Sequence, residues 1–153
     1  MIPALYIADG HHRSAAASRV HRKRQTEASA GFLSVLFPAG ALKILPYNRV
    51  VKGLAGRTVG AFIEALGKGY TLVKTERPGD YPPQVGFDLY ADKEWFRATP
   101  REGLVPGDPV GSLSVSVLTE NVLGPLLGIH DQRTDDRIDF IGGIRGISEL
   151  EAR

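Results

Sequence analysis

Asp9-Gly10-His11-His12-Arg13 places a carboxylate, two imidazoles and a guanidinium side by side in the chain. Arginine and histidine donate to phosphate oxygens, and a guanidinium can do so bidentately. Gly10 permits a sharp turn and a close approach of ligand to backbone. If a helix follows, its first N–H groups and its partial positive charge add to an anion site. Asp9 would then accept a proton or position a metal ion, because a bare carboxylate beside a phosphate repels it. The competing reading is architectural: Asp9 caps the helix and the histidines face water. A metal site on His11 and His12 is disfavoured. Neighbours on a helix point about 100° apart, and no His pair at i,i+4 of the HExxH kind is present. No metal ligand is therefore assigned.

Two further turns carry arginine. Pro46-Tyr47-Asn48-Arg49 sets an amide and a guanidinium after a rigid residue, so Arg49 is a candidate for an anion or a substrate carboxylate, or part of a plain surface turn. Asp139 to Arg145 ends a strand-like run in Gly142-Gly143. Glycine there admits a phosphate or another backbone segment, and an ordinary strand-to-helix turn is the alternative. Should the three turns converge, Arg13, Arg49 and Arg145 would share one cationic pocket. The run His21-Arg22-Lys23-Arg24 complements a helix C-terminus. Trp95 and Phe96 read as packing residues. Asp131, Asp135, Asp136 and Asp139 around Arg133 and Arg137 read as a solvated loop with weak ion pairs. Nucleotide-binding and nucleophile-elbow loops of known spacing are absent.

The elements that would position these groups follow from pattern. Ala4–Ala8 reads as a short buried strand ending at Asp9-Gly10. His11 to about Glu27 is rich in Ala and long basic side chains and free of Gly and Pro, which predicts a helix. Strands are expected at Phe32–Phe37 and at Leu42–Leu45, the latter stopped by Pro46. Thr58 precedes Val59, Phe62, Ile63 and Leu66 at helical spacing, closed by Gly67 and Gly69. Tyr70–Thr75 alternates as a strand, residues 76–84 form a Pro-rich loop, and Val85–Tyr90 with Glu94–Ala98 form a hairpin. Ser112–Leu127 is an amphipathic helix bent or ended by Pro125. A strand is expected at Ile138–Ile141, and a helix at Gly146–Arg153 with Ser148 and Glu151 as a capping box. Strict βαβ alternation is missing. The expectation is an α+β domain with a mixed sheet and packed helices.

The chain has 153 residues, enough for one domain and one core. Its 42% apolar and 24% charged residues mark a folded composition. Nineteen basic against seventeen acidic side chains leave +2, too balanced to argue for nucleic acid or membrane by charge. With no cysteine, disulfides and thiolate chemistry are excluded and the cytoplasm is the default compartment. No apolar run reaches the roughly 20 residues of a membrane-spanning helix.

Tyr6-Ile7-Ala8-Asp9-Gly10-His11-His12-Arg13 followed by Ala15-Ala16-Ala17 resembles a bacterial and archaeal family of uncharacterised proteins that carries a DGHHR motif. Leu42 to Arg49, Leu113 to Gly128, and Arg137 to Leu150 with Ile138-Asp139-Phe140-Ile141-Gly142-Gly143 continue the resemblance over nearly the whole chain. That family is similar to SerK-type free-serine kinases and, more distantly, to the ParB/sulfiredoxin-like fold. The resemblance implies a ParB/sulfiredoxin-like core and nucleotide-dependent phosphoryl transfer to a small hydroxyl metabolite, with Mg²⁺ and ATP or ADP. Asp9, His11 and His12 would be catalytic. Gly10, His12, Arg13, Arg49, Gly142, Gly143 and Arg145 would hold phosphate or nucleotide. The alternative is a regulatory module that binds a nucleotide or anion without turnover. Family members carry a long segment before the motif, including the upstream acid of the kinases. Residues 1–153 are therefore expected to be one domain that is a fragment of a longer protein, with the isolated piece inactive. A sheet edge left exposed in this way invites homodimerisation.

Overall fold

The computed structural model describes residues 4–76 and 84–153. The chain divides into two compact units, Met1–Lys43 and Ile44–Arg153, each taken by itself below.

The first unit is built on helix α1, His11–Arg24. Ala15, Ala16 and Ala17 and the long basic side chains favour it, and no glycine or proline interrupts it. It ends where Gln25 turns left-handed (φ 48°) and donates to the His21 carbonyl at 2.8 Å. Four basic residues, His21 to Arg24, occupy the last turn, where cations suit the helix dipole. A capping box between Thr26 and Ser29 and a short turn at Ala39–Ala41 follow. Nothing on α1 is buried.

Strands expected at Ala4–Ala8 and Phe32–Phe37 are not formed. A strand exists only by pairing, and among the described residues neither segment has a partner. Their side chains stay in water instead: Tyr6 is 91% exposed and Leu33 93%.

The second unit holds the core. Antiparallel strands β1 (Tyr47–Val51) and β5 (Ile138–Gly142) form one sheet. Strands β2 (Tyr70–Thr75), β3 (Phe87–Ala91) and β4 (Glu94–Pro100) form another in the order β2-β4-β3, again antiparallel. The class is α+β, as expected, but the described strands make two antiparallel sheets and not one mixed sheet. Helix α2, Val59–Gly67, starts where the Thr58 hydroxyl accepts from Ala61 N–H. It buries Phe62 and Leu66, one turn apart, on one face. The hairpin β3–β4 turns through Asp92 and Lys93, both left-handed, the twist a two-residue hairpin needs. Arg97 pins its register by donating to both oxygens of the opposing Asp88 at 2.9 and 3.1 Å.

The strand expected at Leu42–Leu45 is displaced. Pro46 does not stop a strand but precedes one, because pairing begins with Tyr47, the first residue after it that can donate. The Pro46 carbonyl accepts Gly143 N–H at 2.7 Å, closing the β1–β5 ladder. A side chain at Gly143 would sit 2.5 Å from the proline ring and 2.9 Å from its carbonyl oxygen.

The expected helix at Ser112–Leu127 is shorter and changes pitch. Helix α3, Ser114–Leu118, runs into a π-helical turn at Thr119–Leu123. The Thr119 hydroxyl bonds back to the Val115 carbonyl at 2.7 Å and Asn121 to that of Val117 at 2.9 Å, which bends a helix. Gly124 and Pro125 follow. Helix α4, Ile147–Glu151, is capped by Gly146 with no side-chain bond, so Ser148 lies inside it and is not its cap. Trp95 is a packing residue as expected: it is 8% exposed, packs against Tyr90 in a tilted arrangement and donates to Glu151. Most of the Pro-rich loop expected at 76–84 lies outside the described residues.

The core joins α2, the three-stranded sheet, α3 and β5 through Phe62, Leu66, Tyr70, Ala98, Val117, Ile129 and Ile138. Burial pushes the Tyr70 hydroxyl up to about 12 from 10.0. The protonated phenol points at the Val117 carbonyl, 3.4 Å away.

Two outcomes are expected. Gly143→Ala lowers stability by about 1–3 kcal/mol in urea unfolding, the usual cost of overpacking. Gly142→Ala, whose added carbon meets nothing within 4 Å, serves as the mild control; equal losses in both would refute the Pro46 contact. Tyr70 keeps its proton more tightly when folded, so its contribution is complete below pH 10 and fades as pH rises from 10.0 towards about 12. Tyr70→Phe flattens that alkaline decline in the unfolding midpoint.

Candidate functional site

Asp9 and Gly10 form the bend that introduces α1. Gly10 is left-handed (φ 84°, ψ 23°), a conformation that costs a residue with a side chain. Its N–H donates to Asp9 Oδ1 at 2.6 Å. Asp9 Oδ2 lies 3.7 Å from Arg13 Nη2. Arg13 arches back over the glycine, so a side chain at position 10 would come within 3.3 Å of that nitrogen.

Asp9 therefore does not cap the helix, which has no side-chain cap at all. The first helical bond runs from Ser14 N–H to the Gly10 carbonyl at 2.9 Å. The N–H groups of His11, His12 and Arg13 precede it and have no acceptor among the described residues. Three free amides, two exposed imidazoles and a guanidinium thus meet at one bend. The Asp9–Arg13 pair is open to water, with side chains 95% and 82% exposed. Exposed pairs of this kind hold by about 0–1 kcal/mol, so an anion can take Arg13 from Asp9.

The other candidates lie in the second unit. Register brings Arg49 opposite Phe140 and Tyr47 opposite Gly142. Arg49 is already engaged. Its Nε donates to Gln132 at 2.9 Å, its Nη1 to the Tyr47 carbonyl at 2.8 Å, and its guanidinium lies 5.5 Å from the Phe140 ring centre. Phe140 in turn stacks on Tyr47 at 5.1 Å. Burial holds the Arg49 guanidinium below its usual pKa, although it stays a full cation. Gly142 closes β5, and Gly143 admits another backbone segment, that of Pro46, one of the two occupants its glycine allows. Arg145 is exposed in the following turn, with no hydrogen bond or ion pair among the described residues.

Two residues have roles that their sequence context hides. Gln132 links Arg49 to Thr119, joining β1 to the π-helical turn. Arg137 donates to the Leu127 and Gly128 carbonyls, both at 3.0 Å, and grips Asp135 with two bonds. Those side-chain bonds hold the Asp135 carboxyl below its usual range. Read as a solvated loop pair, Arg137 is instead a tie across a turn. Only Arg133, 88% exposed against Asp131, fits that earlier reading. Beside the π-helical turn a cleft of about 280 Å³ is lined by Thr119, Glu120, Gly124, Pro125, Ile129 and His130. No three His, Asp or Glu side chains among the described residues converge as a metal cluster would.

The charge map was also legible, though masked by the bulk value. Residues 1–43 carry six Lys and Arg against two acidic residues, and residues 44–153 carry thirteen against fifteen. The +2 total hides a basic first unit that contains the Asp9–Arg13 bend and three of the four histidines.

No curated protein and no solved structure matches the chain. One family matches residues 1–116, from before the Asp9–Arg13 bend to α3, which is three quarters of the length. On that match the chain belongs to the family described as Protein of unknown function (DUF1015).

Proposed function

We propose that the Asp9–Arg13 bend holds the phosphate of a nucleotide, as the anion-binding part of a phosphoryl transfer to a small hydroxyl metabolite of the free-serine-kinase kind. One observation carries this reading: α1 begins without a side-chain cap, leaving the amides of His11, His12 and Arg13 open beside a guanidinium. Phosphate satisfies all of these donors at once, and the helix dipole favours it. Catalysis of this class rests on positioning and charge stabilisation, with little covalent work for the protein.

In this scheme Arg13 and the amides bind, His11 and His12 add donors, and Asp9 serves as base or metal-positioning group. Asp9 suits Mg²⁺ in a limited way. It offers one exposed carboxylate oxygen, and Mg²⁺ is often held by one or two carboxylates with phosphates and water completing the shell. Mg²⁺ bound there would offset the repulsion between Asp9 and phosphate. Within the second unit, Arg49, Gly142, Gly143 and Arg145 are proposed separately as nucleotide-binding residues, although Gly143 is filled by Pro46 and Arg49 has protein partners. A ParB/sulfiredoxin-like core remains part of the proposal.

A second reading is favoured by the 95% exposure of Asp9. A base in open water is poorly placed to take a proton from a hydroxyl, since bulk water competes for both of its oxygens. On that reading the unit binds a nucleotide or anion and signals its presence without turnover.

ATP, ADP and inorganic phosphate are the probes, with titration calorimetry as the readout. Arg13→Ala is expected to weaken nucleotide binding about 10- to 100-fold, the worth of a hydrogen bond to a charged group. His21→Ala, at the far end of α1, leaves it unchanged. Equal affinity in wild type and Arg13→Ala would sink the site. Incubation with ATP, Mg²⁺ and serine separates the two readings: a phosphorylated product supports transfer, and binding without product supports the regulatory module.

A further inference from the structure

The cleft beside the π-helical turn has no part in the proposed site. It holds about 280 Å³ and is lined by Thr119, Glu120, Gly124, Pro125, Ile129 and His130. Small-molecule pockets run from roughly 300 Å³ upward, so this one suits a guest of a few heavy atoms. π-helical turns recur at functional sites. Gly124 has φ −68°, which any residue can adopt, so its lack of a side chain is not a backbone requirement. A carbon added there would meet His130 Nδ1 and the Thr119 carbonyl oxygen, each at 3.6 Å. The glycine therefore leaves room for a guest atom between an imidazole nitrogen and a carbonyl.

The chemistry of the lining says which guest fits. Thr119 has spent its hydroxyl, which donates to the Val115 carbonyl and accepts from Gln132. The Gly124 N–H is taken by the Thr119 carbonyl at 3.1 Å. Pro125 has no N–H, so the Glu120 carbonyl lacks the partner five residues on that a π-helical bond requires. The Glu120 carboxylate and the His130 ring are exposed and have no hydrogen bond or ion pair among the described residues. A neutral His130 can keep its proton on Nε2 and accept at Nδ1. The cleft thus offers acceptors and one negative charge at the C-terminal end of a helical run, where the helix dipole is also negative. Nearby guanidiniums do not answer that charge. Arg57 donates to the Leu126 carbonyl and Arg137 to those of Leu127 and Gly128, and neither lines the cleft. Ile129, fully buried, and Pro125 give it an apolar wall.

We infer that this cleft binds a primary ammonium group carried on a short apolar stem. An ammonium has three N–H donors and no acceptor. Over Gly124 it donates to the Thr119 carbonyl and to His130 Nδ1, and Glu120 balances its charge. The stem lies against Ile129 and Pro125. A metal ion fits less well, since no three His, Asp or Glu side chains among the described residues converge, and a bare ion leaves the apolar wall without a partner. The inference does not depend on the phosphate site.

NMR titration of the isotope-labelled whole chain with n-butylammonium tests it. Saturable shifts centred on the amides of Glu120, Gly124 and His130 are expected. n-Butanol, of similar length without the charge, should bind at least about tenfold more weakly, the worth of a hydrogen bond to a charged group. Glu120→Gln keeps the shape, removes the charge and should weaken the amine by about as much. Gly124→Ala places a carbon where the guest would sit, at contact distances the fold tolerates, and should abolish the shifts. Glu102→Gln, exposed in the loop before α3, leaves binding unchanged. Nα-acetyl-lysine methylamide separates two sources of the same group: tighter binding than butylammonium assigns the guest to a lysine side chain, weaker binding to a free amine. A failure to saturate overturns the inference, and so does equal affinity for the alcohol. Equal affinity in wild type and Glu120→Gln, or equal losses in Glu120→Gln and Glu102→Gln, overturns it as well. So does Mg²⁺ or K⁺ that moves the same amides at lower concentration than the amine.

Discussion

Apolar surface must leave water, and in this chain one stretch achieves that within itself while another does not. Residues 44–153 have a core because α2, β2, β4, the π-helical turn and β5 each contribute one apolar face to the same volume. Phe62 and Leu66 come from a helix, Tyr70 and Ala98 from paired strands, and Ile129 from the turn after Leu127. The polar ties follow from that burial. Arg137 answers the carbonyls of Leu127 and Gly128 where the chain leaves the helix, and Gln132 holds Arg49 against the π-helical turn. Residues 4–43 have a helix and two short turns but no buried side chain. Helical bonds are local and form without a core. Strand bonds are not.

That difference decides what could be read from the sequence. The helices at His11 and Val59 were legible because propensity, Thr58 and Gly67 all act within one or two turns. So was the β3–β4 hairpin, whose partners are two residues apart. The segments Ala4–Ala8 and Phe32–Phe37 have the composition of strands, and composition cannot reveal whether a partner exists. Pro46 misled for a related reason. A proline can end a strand or stand just before one, and the choice lay with Gly143, almost a hundred residues away. The π-helical turn had only a faint signal, Thr119 and Asn121 near Gly124-Pro125.

The candidate site divides along the same line. The bend at Asp9-Gly10 was legible because a glycine there reaches, without steric cost, the left-handed conformation of a sharp turn that a side chain penalises. That Asp9 turns back on the Gly10 amide, and so leaves the helix start uncapped, needed coordinates. Arg49 was legible as a cation but not as an occupied one. Its acceptors are a backbone carbonyl two residues back and a glutamine far along the chain. Arg145 carries no such partner among the described residues and keeps its full capacity to donate.

The uncapped helix start and the apolar segment pose one physical question in two forms, since each leaves a demand that its own unit does not meet. Open amides at His11, His12 and Arg13 ask for an acceptor, and water meets that request at little cost because the bend is exposed. An anion binds there only by outcompeting water, which requires the charge of Arg13 and the dipole of α1 acting together. The apolar segment has no such fallback. Water is the least favourable neighbour for Phe32 to Phe37, at about 25 cal/mol for each Å². Hence the helix start can stand open at little cost, whereas the apolar segment carries a cost in water along its whole length.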